Sequence, residues 1–351
     1  MSLLFDKIAL SFKEKLPFVC FNKPNSDVLK GYFDNSSNLK YSNNFKEEGF
    51  VFAPFNNHKP AVIFLKNSSE ILEETYINSN VKINSQDNDI LYSVKNEHTS
   101  LVQKGIDAIN NNQFKKVVLS RKEIVKVSDV DLINIFQRLL QKYKNAFVYV
   151  WFHPKVGLWM GATPERLVTL TNGEFQTMAL ASTQKYVGNL NPVWGEKEKK
   201  EHQYVVDYIV SQIKDQHNGI ILKKFSVSDT YTIKAGELVH LKADITGEIG
   251  SFDLKNLLNT LHPTPAVCGL PKKASKSFIL ENEPYERSFY TGFLGEINVN
   301  STTELFVNLR CAEFDSDKVI IYVGGGVTKE SNPEKEWEET INKTTTIKSV
   351  L

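Results

Sequence analysis

Apolar positions recur at helical spacing in residues 2–15, where Leu4, Ile8 and Phe12 share a face, and again from His98 to Asn112 through Leu101, Ile106 and Ile109. Between these helices, Phe18–Phe21, Phe50–Phe55 and Ala61–Leu65 are short β-type runs, and the Asn/Ser-rich stretches 34–45 and 78–89 read as surface loops. From Lys116 the text grows denser in strand-forming residues: Val117–Leu119, Ala146–Phe152, Gly157–Met160, Leu167–Leu170 and Glu174–Leu180. A long helix is expected over 195–216, with Val205, Val206, Ile209, Val210 and Ile213 as its apolar stripe. Further strands follow at Ile220–Phe225, Leu238–Ile245, Phe289–Ile297, Glu304–Phe314 and Val319–Val323, with helices at 253–260, 271–282 and 333–349. Strands that arrive in runs with few helices between them predict an antiparallel or mixed α+β architecture rather than βαβ winding.

Composition narrows the class. The 351 residues are 41% hydrophobic and 24% charged, enough for a sizeable core in one large unit or two closely packed ones. A net charge of +1 gives no reason to expect nucleic acid or an anionic membrane as partner, so any attraction for an anion is local. The three cysteines, Cys20, Cys268 and Cys311, form no C-x-x-C pair and predict neither a disulfide framework nor a zinc site, as befits a reducing cytoplasm. The N-terminus lacks a signal-peptide apolar region, and no apolar run approaches the roughly 18 residues that span a bilayer.

The chemistry gathers around Gly324, Gly325 and Gly326, which follow the strand ending at Tyr322. A glycine turn there would bare main-chain amides to an anion. Ser331 or Asn332 then caps a helix with Pro333 in its first turn. On that helix Glu336, Glu339 and Lys343 share a face; Glu198 and Glu201 repeat the E-x-x-E spacing at the start of the 195–216 helix. Two such pairs suit a hydrated divalent cation, although each alone is equally a solvated or dipole-favoured face.

Other residues carry a site role beside a plainer one. Lys116 is a solvated strand-edge lysine, or a general base if it faces an enclosed cavity. Glu165, in a Gly/Pro turn, is either aimed into a site or paired with Arg166. His240 is a packed histidine or a donor to substrate. His262–Pro271, with three prolines, is a rigid shaped loop, and Arg310 inside a strand calls for an anionic partner such as a carboxylate.

These segments resemble the chorismate-utilising enzymes, and within them the isochorismate synthases. The motifs are Lys116-Val-Val-Leu-Ser-Arg121, Gly161-Ala-Thr-Pro-Glu165, Glu198-Lys-Lys-Glu-His202, Leu261 to Gly269, Glu283-Pro-Tyr-Glu-Arg287, Leu309-Arg-Cys311 and Gly324 to Lys343. They occur in family order over about 95–351, with residues 1–94 only loosely similar and read as the N-terminal part of a sandwich. The resemblance implies one α/β (α+β) unit of the anthranilate synthase component I type, with a β-sandwich core flanked by helices. It implies chorismate as substrate and Mg²⁺ as cofactor, in a cytoplasmic monomer without an amidotransferase subunit.

By the same resemblance Lys116 activates water and Glu165 protonates the departing hydroxyl. Glu201 and Glu339 bind Mg²⁺, with Glu198 and Glu336 supporting its water shell. Arg310 and Tyr290 bind the enolpyruvyl carboxylate, Gly324 and Lys343 add anion contacts, and His240 stands near the ring. Ala266, with Val267 beside it, occupies the position where relatives that form aromatic products carry Thr. Ala181 replaces the nucleophilic Lys of aminodeoxychorismate synthases, and Ser182 departs from a common Gly. Together these imply an isochorismate synthase, feeding menaquinone or catechol siderophore synthesis. The alternatives are a salicylate synthase and a catalytically silent binding module.

Overall fold

Strands buried on both faces require cover on both, and the chain supplies it with two sheets face to face and helices outside each. The computed structural model describes residues 2–76, 92–127, 130–215, 219–236, 238–250 and 253–351, so the expected loop over 78–89 lies outside the described residues. The elements are α1 (Leu3–Lys13), β1 (Phe18–Asn22), β2 (Val28–Asp34), β3 (Tyr41–Ser42), β4 (Gly49–Ala53), β5 (Ala61–Leu65), β6 (Ser69–Thr75), α2 (Tyr92–Asn110), β7 (Lys116–Lys126), α3 (Leu132–Lys142), β8 (Phe147–His153), β9 (Gly157–Thr163) and β10 (Arg166–Thr171). The chain continues with β11 (Glu174–Lys185), α4 (Glu196–Lys214), β12 (Leu222–Val227), β13 (Tyr231–Ala235), β14 (Leu238–Ile249), α5 (Leu254–Leu261), β15 (Gly269–Leu270), α6 (Lys272–Asn282), β16 (Phe293–Val299), β17 (Thr302–Val307), β18 (Cys311–Phe314), β19 (Lys318–Val327) and α7 (Pro333–Lys348).

The first sheet has nine strands in the order β15-β7-β19-β18-β9-β8-β1-β2-β6. The second has ten, in the order β12-β14-β11-β10-β17-β16-β4-β5-β3, with β13 also on β14. Pairing is antiparallel throughout the described residues, so the mixed α/β expectation with few crossover helices is met.

Alternation along β1 shows how the layers form: Phe18 and Cys20 face the helices α1 and α3, whereas Val19 and Phe21 enter the space between sheets. That inter-sheet layer is aromatic. Phe147 of β8 stacks on Phe306 of β17 with ring centroids 4.4 Å apart, and Phe52 of β4 stacks on Phe289 at 4.2 Å. Such pairs add about 0.5–1.5 kcal/mol beyond the area they bury. Phe306→Ala is expected to destabilise the protein by about 3–5 kcal/mol in denaturant titration. A loss below about 1 kcal/mol would mean the sheets do not depend on this layer.

Helices α4 and α5 cover the outer face of the second sheet, and α2 and α6 pack on β7.

Several expectations need correction. Helix α3 lies where the sequence reading places no element, although Leu132, Ile135, Phe136, Leu139 and Leu140 recur at helical spacing and are buried. Strands β2, β6 and β13 and the two-residue β3 and β15 are likewise outside the expected set, β3 lying within the loop expected over 34–45. Ser69–Thr75 shows why, since charged residues dilute its pattern and it is half-exposed along its length. The single strand expected over Glu304–Phe314 is two, β17 in the second sheet and β18 in the first. Arg310 therefore lies in a crossover, not in a strand, with φ +49. Tyr290, placed by its sequence in a strand, precedes β16.

The glycine run is not a turn. Strand β19 passes straight through it, pairing Gly324, Gly325 and Gly326 with Ser120, Leu119 and Val118 of β7. Strand β18 reaches only Val319–Ile321, so among the described residues the other edge of the glycine stretch has no strand partner. Asn332 caps α7 as expected, its side chain accepting from the backbone N–H of Glu334 and Lys335.

Candidate active site

Two crossovers between the sheets run side by side. One, Pro164–Glu165, links β9 to β10; the other, Asn308–Arg310, links β17 to β18. They are laced by backbone bonds from Val307 N to Glu165 O (2.9 Å) and from Ala162 N to Arg310 O (3.1 Å). Buried Asn308 pins the second crossover, accepting from Tyr149 Oη at 2.7 Å and donating to Phe289 O at 3.0 Å. A rigid sandwich thus presents Glu165 and Arg310 from neighbouring loops.

Glu165 is buried and does not pair with Arg166, whose guanidinium goes instead to Gln176 Oε1 at 3.0 Å and toward Glu304 at 3.5 Å. Burial drives the Glu165 carboxyl up; Lys116, the Thr264 hydroxyl and Lys343 draw it part of the way back, leaving it at about 8. It is therefore a carboxylic acid, able to donate a proton, at neutral pH.

Lys116, at the start of β7, is fully buried, so the solvated strand-edge alternative falls away. Its Nζ lies 2.8 Å from Glu201 Oε1 as an ion contact rather than an aligned hydrogen bond. Burial would raise the Glu201 carboxyl, but Lys116, Lys197 and Lys343 outweigh it and hold the group below the ordinary range. Two further pairs repeat the arrangement: Lys197 Nζ to Glu336 Oε1 at 2.6 Å and Lys343 Nζ to Glu339 Oε1 at 2.5 Å. Lys343 also donates to Gly324 O at 2.9 Å.

The glycines make room for this cluster. A Cβ on Gly326 would stand 2.2 Å from Glu201 Oε1, and one on Gly325 would stand 3.3 Å from Glu336 Oε2 and 3.9 Å from Glu339 Oε1. Glu336 is buried and its Oε2 has no hydrogen-bond partner among the described residues; burial and neighbouring Glu339 push its carboxyl up against the pull of Lys197. Glu198 stays apart from the three: its carboxylate folds back toward Gly195 at the start of α4.

His240 on β14 donates from Nδ1 to Ser182 O at 3.0 Å, which leaves Nε2 as an acceptor 3.5 Å from Arg310 Nη2. Burial, then Arg310, lowers it to about 3, so the ring is neutral. Ser182 sits in the bulge of β11 opposite His240 at φ +63, and its hydroxyl donates to Glu198 O at 2.7 Å. The Arg310 guanidinium binds Thr346 Oγ1 at 3.2 Å and, among the described residues, has no carboxylate in ion-pair contact. Tyr290 is buried and stacked on Tyr322 with centroids 5.6 Å apart.

These groups enclose a cavity of about 80 Å³. Of the expected site residues, Glu165, Glu201, His240, Ala266, Val267, Tyr290, Arg310, Gly324, Glu339 and Lys343 line it. Lys116 stands behind Glu201, Glu336 behind Gly325, and Glu198 outside. Sequence reading missed Lys197 and Thr264. Lys197 is one of several lysines in a charged run, and only the fold distinguishes the one that reaches Glu336. Thr264 lay within the Pro-rich loop already marked as rigid.

The fold is a two-sheet sandwich whose internal cavity is lined by carboxylates, by Lys343 paired with Glu339, and by an arginine with no carboxylate in ion-pair contact among the described residues. The chain belongs to the chorismate binding enzyme family, which it matches over residues 56–351. It is 26% identical over 266 residues to isochorismate synthase MenF of Escherichia coli (strain K12), covering 72% of this chain and 59% of that protein. It is also 26% identical over 256 residues to anthranilate synthase component 1 of Aquifex aeolicus (strain VF5), covering 66% and 51%. The matches thus span little more than half the length of these relatives. The structure of MenF, the menaquinone-specific isochorismate synthase from Escherichia coli, superposes with a TM-score of 0.78 at 19% identity over 95% of this chain and 88% of that one, a likeness of fold. Equal identity to two different synthases leaves the product to be argued from the cavity itself.

Proposed function

We propose that this protein converts chorismate to isochorismate. The observation that carries the reading is the pair of buried groups, Glu165 in its crossover and Lys116 at the start of β7, with burial driving the Glu165 carboxyl up. The reaction needs that combination, because water adds at C2 while hydroxide departs from C4 of an allylic system. Lys116 acts as the free amine, its proton given up to solvent before the cycle. It accepts a proton from the attacking water, both ring double bonds shift, and the C4–O bond breaks as Glu165 gives its proton to the leaving oxygen. The proton on Lys116 then returns to Glu165 through solvent. One water enters, one leaves, and the net change is an isomerisation.

Arg310 and Tyr290 take the enolpyruvyl carboxylate, with Lys343 and the main chain at Gly324 adding to the anion's hold. Neutral His240 fixes Arg310 without competing for the anion. Ala266 and Val267 present no hydroxyl to the ring, and Ala181 offers no amine, which supports release of isochorismate without further chemistry.

The residues fit Mg²⁺. The donor set is all carboxylate oxygen, the Gly325–Gly326 cradle is one that a Cβ would fill, and buried Glu336 Oε2 lacks a partner. Among the described residues no three His, Cys, Asp or Glu side chains form a ready ligand cage, so the fit is to an ion that keeps part of its water. Glu201 and Glu339 would hold it, with Glu336 and, more distantly, Glu198 on the water shell. Bound there, Mg²⁺ would neutralise the ring carboxylate of chorismate.

We place the protein in the cytoplasm as a monomer serving menaquinone or siderophore synthesis; its three free, buried cysteines support a reducing compartment. No helix among the described residues is long and apolar enough to cross a membrane. Incubating the protein with chorismate and Mg²⁺ and separating the products is the test. Isochorismate in equilibrium with chorismate is expected, and salicylate with stoichiometric pyruvate as main products would overturn the reading.

A further inference from the structure

The inner cavity, at about 80 Å³, is small beside the roughly 300–1,000 Å³ typical of ligand sites, but it does not stand alone. A second cavity of about 330 Å³ shares two wall residues with it, Pro164 and Arg310. Arg310, Lys144 and Lys234 stand in its wall, and none of the described residues that line it is acidic. The two exposed lysines and the arginine set positive charge along this approach.

Its walls are built. Gly236, at the tip between β13 and β14, has φ +63 and lies so close to Tyr143 that a Cβ would meet its ring carbon at 2.7 Å. Tyr143 in turn donates to Thr346 O at 3.1 Å, next to the hydroxyl that holds Arg310. Lys234 is braced over the Tyr186 ring at 3.8 Å.

We infer that this outer cavity is the access route for the dianionic substrate, a cationic vestibule that draws it in and passes it to Arg310 at the shared wall. The inference rests on the chorismate reading above and adds the route and the residues that set the rate of capture. Lys144 and Lys234 act at a distance and touch no reacting atom, so they govern association and leave chemistry alone.

The test is the Lys144→Glu/Lys234→Glu double variant. Both side chains are exposed, and surface substitutions of this kind leave folding within about 0.5 kcal/mol. The association rate of chorismate, followed by stopped-flow fluorescence, is expected to fall about 10-fold at low ionic strength with kcat unchanged. The gap should close at about 1 M salt, where the Debye length is about 3 Å. Equal association rates at low salt, a deficit that persists at high salt, or a parallel loss of kcat would each overturn the vestibule.

Product chromatography on the wild type separates the two ideas. Charge-dependent association without isochorismate sinks the proposed activity and leaves the route. Isochorismate with unaltered association sinks the route alone. Absence of chorismate association with the wild type overturns both.

Discussion

Lys116→Ala and Glu165→Gln are each expected to lower kcat by about 10²–10⁴-fold, the usual contribution of a positioned acid or base. Neither group is assigned to a carboxylate of the substrate, so KM should move much less. Glu165 has a further signature. Its carboxyl stands at about 8 because burial outweighs the attraction of Lys116 and Lys343. The acid form is present below that value and is lost as pH rises through it, so kcat/KM should decline on the alkaline side with a limb near pH 8. Gln cannot ionise, and the residual activity of Glu165→Gln should lack that limb. A loss confined to KM, or an unaltered alkaline limb in the Gln variant, would reassign Glu165 to binding.

The sequence names candidate residues for this site but not their arrangement. The E-x-x-E spacing puts Glu336 and Glu339 on one face of α7, and helical geometry alone carries that inference. The pairing of each carboxylate with its own lysine was not legible, because Lys116, Lys197 and Lys343 come from three elements that meet only in the fold. The sequence argument for Arg310, an arginine inside a strand, does not hold, because the residue lies in a crossover. Leu305 to Phe314 looks like one strand because both halves are apolar and buried; nothing in the periodicity shows the chain changing sheets at Asn308–Arg310. A non-glycine residue at φ +49 gives no local signal when Arg is the residue. Helix α3 is a different kind of miss, since its apolar spacing was there to be read.

The glycine run shows most clearly how local residue type misreads conformation. Read locally, three glycines predict a turn. In β19 they are strand residues whose value is the side chain they lack, and no positive φ is required at Gly326. Gly326→Ala is therefore a sharp test. The backbone of β19 accepts Ala, but its Cβ would lie 2.2 Å from Glu201 Oε1 and 3.1 Å from Lys116 Cε. Both neighbours are ends of flexible side chains, so the strand stays paired with β7 and the carboxylate swings away. Turnover and Mg²⁺ affinity measured by calorimetry should each fall about 10–100-fold, the usual cost of displacing a group that sets a metal site. Stability should fall by about 1–3 kcal/mol, the usual cost of an extra methyl in a packed site, with the protein still folded. Gly325→Ala should be milder, because its nearest neighbour, Glu336 Oε2, stands at 3.3 Å. A Gly326→Ala protein with wild-type Mg²⁺ affinity and turnover would show that Glu201 need not occupy this cradle, and the assignment of α4 and β19 to one ion site would fail with it.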